Sequence, residues 1–137
     1  MKLDMFCLSN TKLSTIVIPQ LINEIPAFCF QDSDRLKTLI ITGNTIVSEF
    51  ALIAIPGLER IIYYGIRVQN DFSFSKNIQI FVCRKYSSSR FMNIIATQDP
   101  TFPCIFLECN TTNNFIKYTT NEYFLSIYFS QQFLTKV

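Results

Sequence analysis

Four short rows of apolar residues recur along this chain at nearly constant spacing, and no other feature limits its fold as strongly. The rows are Leu13-Ser-Thr-Ile16-Val-Ile18, Leu36-Lys-Thr-Leu39-Ile-Ile41, Leu58-Glu-Arg-Ile61-Ile-Tyr63 and Ile78-Gln-Ile-Phe81-Val-Cys83. Each has the form apolar-x-x-apolar-x-apolar, and the row starts lie 23, 22 and 20 residues apart (13 to 36, 36 to 58, 58 to 78). Six residues ahead of the next row stand Phe30, Leu52 and Phe72, each large and apolar, and Ile22, Ile25, Ile46 and Val47 supply further apolar side chains between rows. With 49% apolar residues, single matches arise by chance, but a shared register with a shared trailing residue does not. A unit of this length cannot bury its own apolar side, so such units stack and share a continuous core. The spacing predicts one strand per row, with a short return segment packed beneath it.

An interval of roughly 20–29 residues with one strand per unit is that of a leucine-rich repeat. In detail, Leu13-Ser-Thr-Ile16-Val-Ile18-Pro19, Ile22, Ile25, Cys29-Phe30, Ser33 and Leu36 resemble the BspA-like leucine-rich repeat. Cys29 stands where that family usually has Ala and Ser33 where it usually has Cys, small-for-small exchanges that leave the register intact. Tyr63-Tyr64-Gly65, Asp71-Phe72, Ile78 to Cys83 and Tyr86-Ser-Ser-Ser-Arg-Phe91 are similar to the ends of such arrays. The resemblance runs over residues 13–91 and is tightest in the first row. It implies a leucine-rich-repeat solenoid, mostly β, with short irregular or 3-10 return segments and about four repeats. The resulting division is an N-terminal half-repeat or cap over 1–12, repeats over 13–91, and a degenerate C-terminal cap, or the start of a further segment, over 92–137. Family members are cell-surface, secreted or intracellular proteins that bind other macromolecules, and no catalytic residues come with the family.

Stacking these rows gives three expected buried columns: Leu13, Leu36, Leu58, Ile78; Ile16, Leu39, Ile61, Phe81; and Ile18, Ile41, Tyr63, Cys83. Strand side chains alternate, so the residues between them face outward on a concave sheet. The expected outward centre is Val17, Ile40, Ile62 and Val82, flanked by Thr15, Thr38, Arg60 and Ile80 on one side and Pro19, Thr42, Tyr64 and Arg84 on the other. A contiguous exposed apolar stripe marks an interaction site. The same stripe is also what β-branched residues form when they merely stack in a strand ladder. The candidate partner-binding residues on this face are Thr15, Val17, Thr38, Ile40, Thr42, Arg60, Ile62, Tyr64, Val82 and Arg84.

The absence of histidine removes imidazole metal ligation, His general acid/base work and His-activated nucleophiles. Gly43, Gly57 and Gly65 are too scattered for a phosphate-cradling loop. A net charge of +2 leaves no nucleic-acid footprint, and the basic stretch Arg84, Lys85, Arg90 around Tyr86 reads as a solvated end. Asp32 and Asp34 fall in a return loop and read as solvated turn residues rather than a catalytic pair. Cys7, Cys29, Cys83, Cys104 and Cys109 contain no Cys-x-x-Cys, a weak set for zinc. Buried free thiols in a reducing compartment are the expectation, with a Cys104–Cys109 pair open if those residues lie on neighbouring strands.

Beyond residue 91 the register lapses. Asp99-Pro100 and Phe102-Pro103 mark a break, and Cys104 to Cys109, Phe115 to Tyr118 and Tyr123 to Leu134 read as short strands around an Asn/Thr turn at 110–114. Asn110-Thr-Thr112 matches a glycosylation sequon that matters only after export. Asp4 interrupts what would be the apolar core of a signal peptide, and the longest apolar run, Phe50 to Gly57, falls short of the roughly twenty residues of a membrane span. The expected location is therefore the cytoplasm, or the cell surface by an unconventional route. The expected function is a non-catalytic protein–protein interaction or adhesion-type module acting through the concave sheet face. The alternative is an intracellular scaffold or structural fragment of a longer repeat protein. No enzyme activity, cofactor, metal, nucleic acid or small-molecule substrate is expected.

Overall fold

Period-2 alternation of β-branched and polar residues is what makes these rows strands, since each buries one side of the pleat and leaves the other to solvent. The computed structural model describes residues 2–72 and 77–99, and among them there are strands and turns but no helix. The strands are β1 (Thr15–Ile18), β2 (Glu24–Ile25), β3 (Thr38–Ile41), β4 (Ile46–Val47), β5 (Arg60–Tyr63), β6 (Gln79–Val82), β7 (Arg90–Phe91), β8 (Ile94–Ile95) and β9 (Thr97–Gln98). The architecture is β-rich. A five-stranded sheet in the order β1-β3-β5-β6-β9 is parallel throughout, β2 and β4 form a second parallel pair, and β7 and β8 form an antiparallel hairpin. Met92 and Asn93 turn that hairpin with φ of 49° and 67°, the two left-handed residues a tight two-residue loop demands.

Register in the large sheet is Thr15↔Thr38↔Arg60↔Gln79, so successive strands are offset by 23, 22 and 19 residues (15 to 38, 38 to 60, 60 to 79). The last offset differs from the 20 expected from the row starts, and this corrects the fourth row. A one-residue slip exchanges the faces of every side chain on a strand. Ile80 and Val82 therefore point into the core, whereas Phe81 points outward and pairs with Ile62. The observed register keeps the polar row polar, with Gln79 beside Arg60. The expected register would have set Ile80 there instead.

Side chains from both parallel sheets and from the connecting turns meet in one core: Ile16, Ile18, Leu39, Ile41, Ile61, Tyr63, Ile80 and Val82 from the large sheet, Ile25 and Val47 from the small one, and Phe30, Leu36, Leu52 and Leu58 from the turns. Leu13 departs from its expected buried column and is 50% exposed, because it begins the first row and has a neighbouring row on one side only. Cys83 is buried as expected, although Val82 takes the rung opposite Tyr63.

Residues 2–12 lie along the segment that follows β1. Lys2 forms a parallel bridge with Glu24, the Leu8 amide donates to the Cys29 carbonyl at 3.0 Å, and Asn10 donates to Gln31 at 2.7 Å. Leu3, Cys7 and Leu8 pack against the core from this segment. Phe6, Phe28 and Phe50 all have left-handed backbone (φ 62°, 59° and 62°), as do Asn10, Asp32 and Ala54 (53°, 60° and 56°). Each left-handed non-glycine residue costs roughly 1–2 kcal/mol. Hydrogen bonds between passes hold the turns in place, Phe28 N–H to Phe50 and Asp32 N–H to Ala54 among them. The three phenyl rings stack at 5.8 and 6.0 Å between centroids.

No strand follows β4 in the small sheet; the side-chain amide of Gln69, 22 residues after Val47, continues it. Gln69 Oε1 accepts from the Val47 amide at 2.8 Å, and Nε2 donates to the Thr45 carbonyl at 3.0 Å. The Gln69 amide in turn donates to the Tyr86 hydroxyl at 3.2 Å, and Tyr86 donates onward to the Arg90 carbonyl at 3.0 Å. Tyr63, Tyr86 and Phe91 pack edge-on around this point, the Tyr63–Tyr86 rings crossing at 88°.

Candidate functional site

The face of the large sheet opposite the core carries the candidate site. Register places Val17, Ile40, Ile62 and Phe81 side by side across β1, β3, β5 and β6, with Thr97 of β9 next to Phe81. All four apolar members are half-buried, since each is covered on two sides by its ladder neighbours. A second row, Thr15, Thr38, Arg60 and Gln79, runs parallel to the first and is polar along its length. The two rows are joined by Arg60, whose guanidinium lies 5.8 Å from the Phe81 ring centroid. A cation held over a phenyl face at this distance is attracted by the ring quadrupole, by about 0.5–1 kcal/mol at exposed sites. Lys37 and Glu59, just ahead of β3 and β5, form an ion pair at 3.3 Å, with both side chains mostly in water. Such a pair contributes about 0–1 kcal/mol, so it trims the rim rather than holding the sheet.

Thr15, Val17, Thr38, Ile40, Arg60 and Ile62 thus stand together on one face. The other proposed members do not all join them. Val82 is 1% exposed and belongs to the core, for the register reason given above. Thr42 is also buried: its hydroxyl donates to the Ile18 carbonyl at 2.9 Å, and its amide bonds the same oxygen at 3.0 Å. At the end of its strand the chain turns inward, and a small hydroxyl satisfies a buried carbonyl there. Tyr64 is half-buried just beyond β5, and burial pushes its phenol above the ordinary tyrosine range. Arg84 is exposed beyond the end of β6. Phe81 and Gln79 belong to this face in place of Val82 and Ile80. The signal for them was present in the sequence: Ile78, Ile80 and Val82 alternate with period two, and all three are buried.

No group of three or more metal-ligating side chains occurs among the described residues. Among them, too, no helix is long and apolar enough to cross a membrane. Asp32 and Asp34 are exposed in the turn after Phe30. Cys104, Cys109, Asn110 and the strands expected between 104 and 134 lie outside the described residues. Comparison with known protein families, curated proteins and solved structures finds no match to the chain.

Proposed function

We propose that this chain is a leucine-rich-repeat solenoid, similar to the BspA-like proteins, that works as a non-catalytic protein-binding module through the outward face of its large sheet. The observation that carries the reading is the in-register apolar row Val17, Ile40, Ile62 and Phe81 beside the polar row Thr15, Thr38, Arg60 and Gln79. The strand offsets of 23, 22 and 19 residues support the repeat, because all lie in or beside the range of that architecture. An apolar centre with a polar margin is how protein interfaces are built, the centre supplying desolvation and the margin supplying hydrogen bonds and register. Phe81 under Arg60 adds an aromatic and an arginine, the residue types enriched where binding energy concentrates.

The test is capture of partners from the native source by immobilised chain, comparing wild type with the double variant Ile40→Thr, Ile62→Thr. Threonine keeps the β-branch, so circular dichroism should be unchanged while the row loses its apolar methyls. Loss of the captured proteins with an unchanged spectrum is the expected result. The same proteins captured equally by both chains would overturn the assignment of this face.

A further inference from the structure

We propose that Cys7 and Cys29 are a redox pair that closes into a reversible intramolecular disulfide on reaction with a small-molecule disulfide of the glutathione class. The two Sγ atoms lie 3.2 Å apart, and both thiols are free. A disulfide needs about 2.05 Å, so closure asks for a movement of roughly 1 Å. The surrounding backbone already holds the two segments together. The Leu8 amide donates to the Cys29 carbonyl at 3.0 Å, the Ser33 hydroxyl donates to the Leu8 carbonyl at 3.2 Å, and the Thr11 amide donates to Ser33 Oγ at 3.2 Å. Each cysteine follows a left-handed phenylalanine, Phe6 or Phe28, whose rings stack at 11° to one another. Equivalent turns thus deliver the two side chains to the same place in successive passes. In the next pass the equivalent residue, 22 positions on, is the fully buried Ala51, so that turn offers Cys29 no second sulfur.

Access sets the order of events. Cys7 is half-buried and Cys29 fully buried, so Cys7 meets the reagent. The Cys7 thiolate attacks one sulfur of the small disulfide, forming a mixed disulfide and expelling one small thiolate. Cys29 then gives its proton to solvent, and its sulfur attacks Cys7 Sγ, displacing the second small thiolate. One new sulfur–sulfur bond forms in the protein and the reagent's bond is lost. Two electrons pass to the reagent, and the two cysteine protons end on two released small thiols. Burial, and then the hydrogen bond with Cys7, pushes the Cys29 thiol well above the usual range. The second step therefore proceeds through the nearness of Cys7 and quickens as pH rises. Closure would fasten residues 2–12 to the segment after β1.

The reduced full chain is incubated with reduced and oxidised glutathione over a series of ratios, then alkylated and cut with trypsin without reduction. Cleavage after Lys2, Lys12 and Arg35 places Cys7 in peptide 3–12 and Cys29 in peptide 13–35. The expected product is these two peptides joined within one chain, lighter than their sum by two hydrogens. In strong denaturant at the same ratios its yield should fall at least about tenfold, as proximity is lost. Closing this loop should raise the midpoint of thermal unfolding by on the order of 10 °C, a gain absent in Cys7→Ser. Recovery of Cys29 as its alkylated form at every ratio would overturn the proposal. So would an equal yield of the joined peptides in denaturant.

Discussion

Gln69 offers the sharpest test of how this chain is held together, because one side chain there does the work of a strand. Its amide accepts from the Val47 N–H at 2.8 Å and donates to the Thr45 carbonyl at 3.0 Å, and it is 5% exposed. Gln69→Leu fills the same space without either bond and leaves one buried donor and one buried acceptor unpaired. Each orphaned group costs about 1–3 kcal/mol, so the expected loss is about 2–6 kcal/mol. Gln69→Ala opens room for water to satisfy part of the deficit and should lose less than Leu. Gln69→Glu separates the two bonds. A carboxylate still accepts from Val47 but faces Thr45 with a second acceptor, whereas a protonated carboxyl can donate to it. Burial disfavours the charged form, so the folded-state pKa of this Glu is raised above its unfolded value of about 4.3. A raised folded pKa means stability that is fully present below the unfolded pKa and is lost as pH rises through the folded one. Relative to wild type, the Glu variant should be least impaired near about pH 4 and most impaired near about pH 7. Urea unfolding followed by circular dichroism at both pH values measures this. A Leu variant within about 0.5 kcal/mol of wild type, the range of an ordinary surface change, would refute the reasoning. A Glu deficit that ignores pH would do the same.

Truncating Leu39 or Ile61, both fully buried in the large sheet, to Ala should cost about 2–5 kcal/mol in the same urea assay. Gly43→Ala should destabilise strongly, because a Cβ there would stand 2.6 Å from the Cα of Gln20, a backbone atom with no room to move; a thermal midpoint equal to wild type would count against that close approach. Ala54→Gly should have the opposite sign, relieving left-handed strain at φ 56° by up to about 1 kcal/mol, read as a raised midpoint. Burial, only partly offset by its hydrogen bond with Gln69, raises the Tyr63 phenol from 10.0 to about 12. Its contribution is complete below pH 10 and lost as pH rises toward about 12, so alkaline unfolding should coincide with late tyrosinate absorbance in that window.

Some of this was written locally. Thr15-Ile-Val-Ile, Thr38-Leu-Ile-Ile and Arg60-Ile-Ile-Tyr each carry period-2 alternation in four residues, and their constant offset aligned Ile16, Leu39 and Ile61 before any fold was considered. The same pattern set Val17, Ile40 and Ile62 on the opposite face, which is why most of the candidate site was legible. Tertiary structure decided what local pattern left degenerate. The fourth row, Ile78 to Cys83, fits two registers one residue apart. Pairing with β5 selects the one that keeps Gln79 beside Arg60 and turns Phe81, not Val82, outward. The amide of Gln69, the stacked turns at Phe6, Phe28 and Phe50, and the meeting of Cys7 with Cys29 are contacts across 22 residues. Alternation along a strand is dictated by the pleat and can be read from neighbouring residues. Which passes of chain lie together, and in which register, depends on packing between residues far apart in sequence, and only the folded chain brings those together.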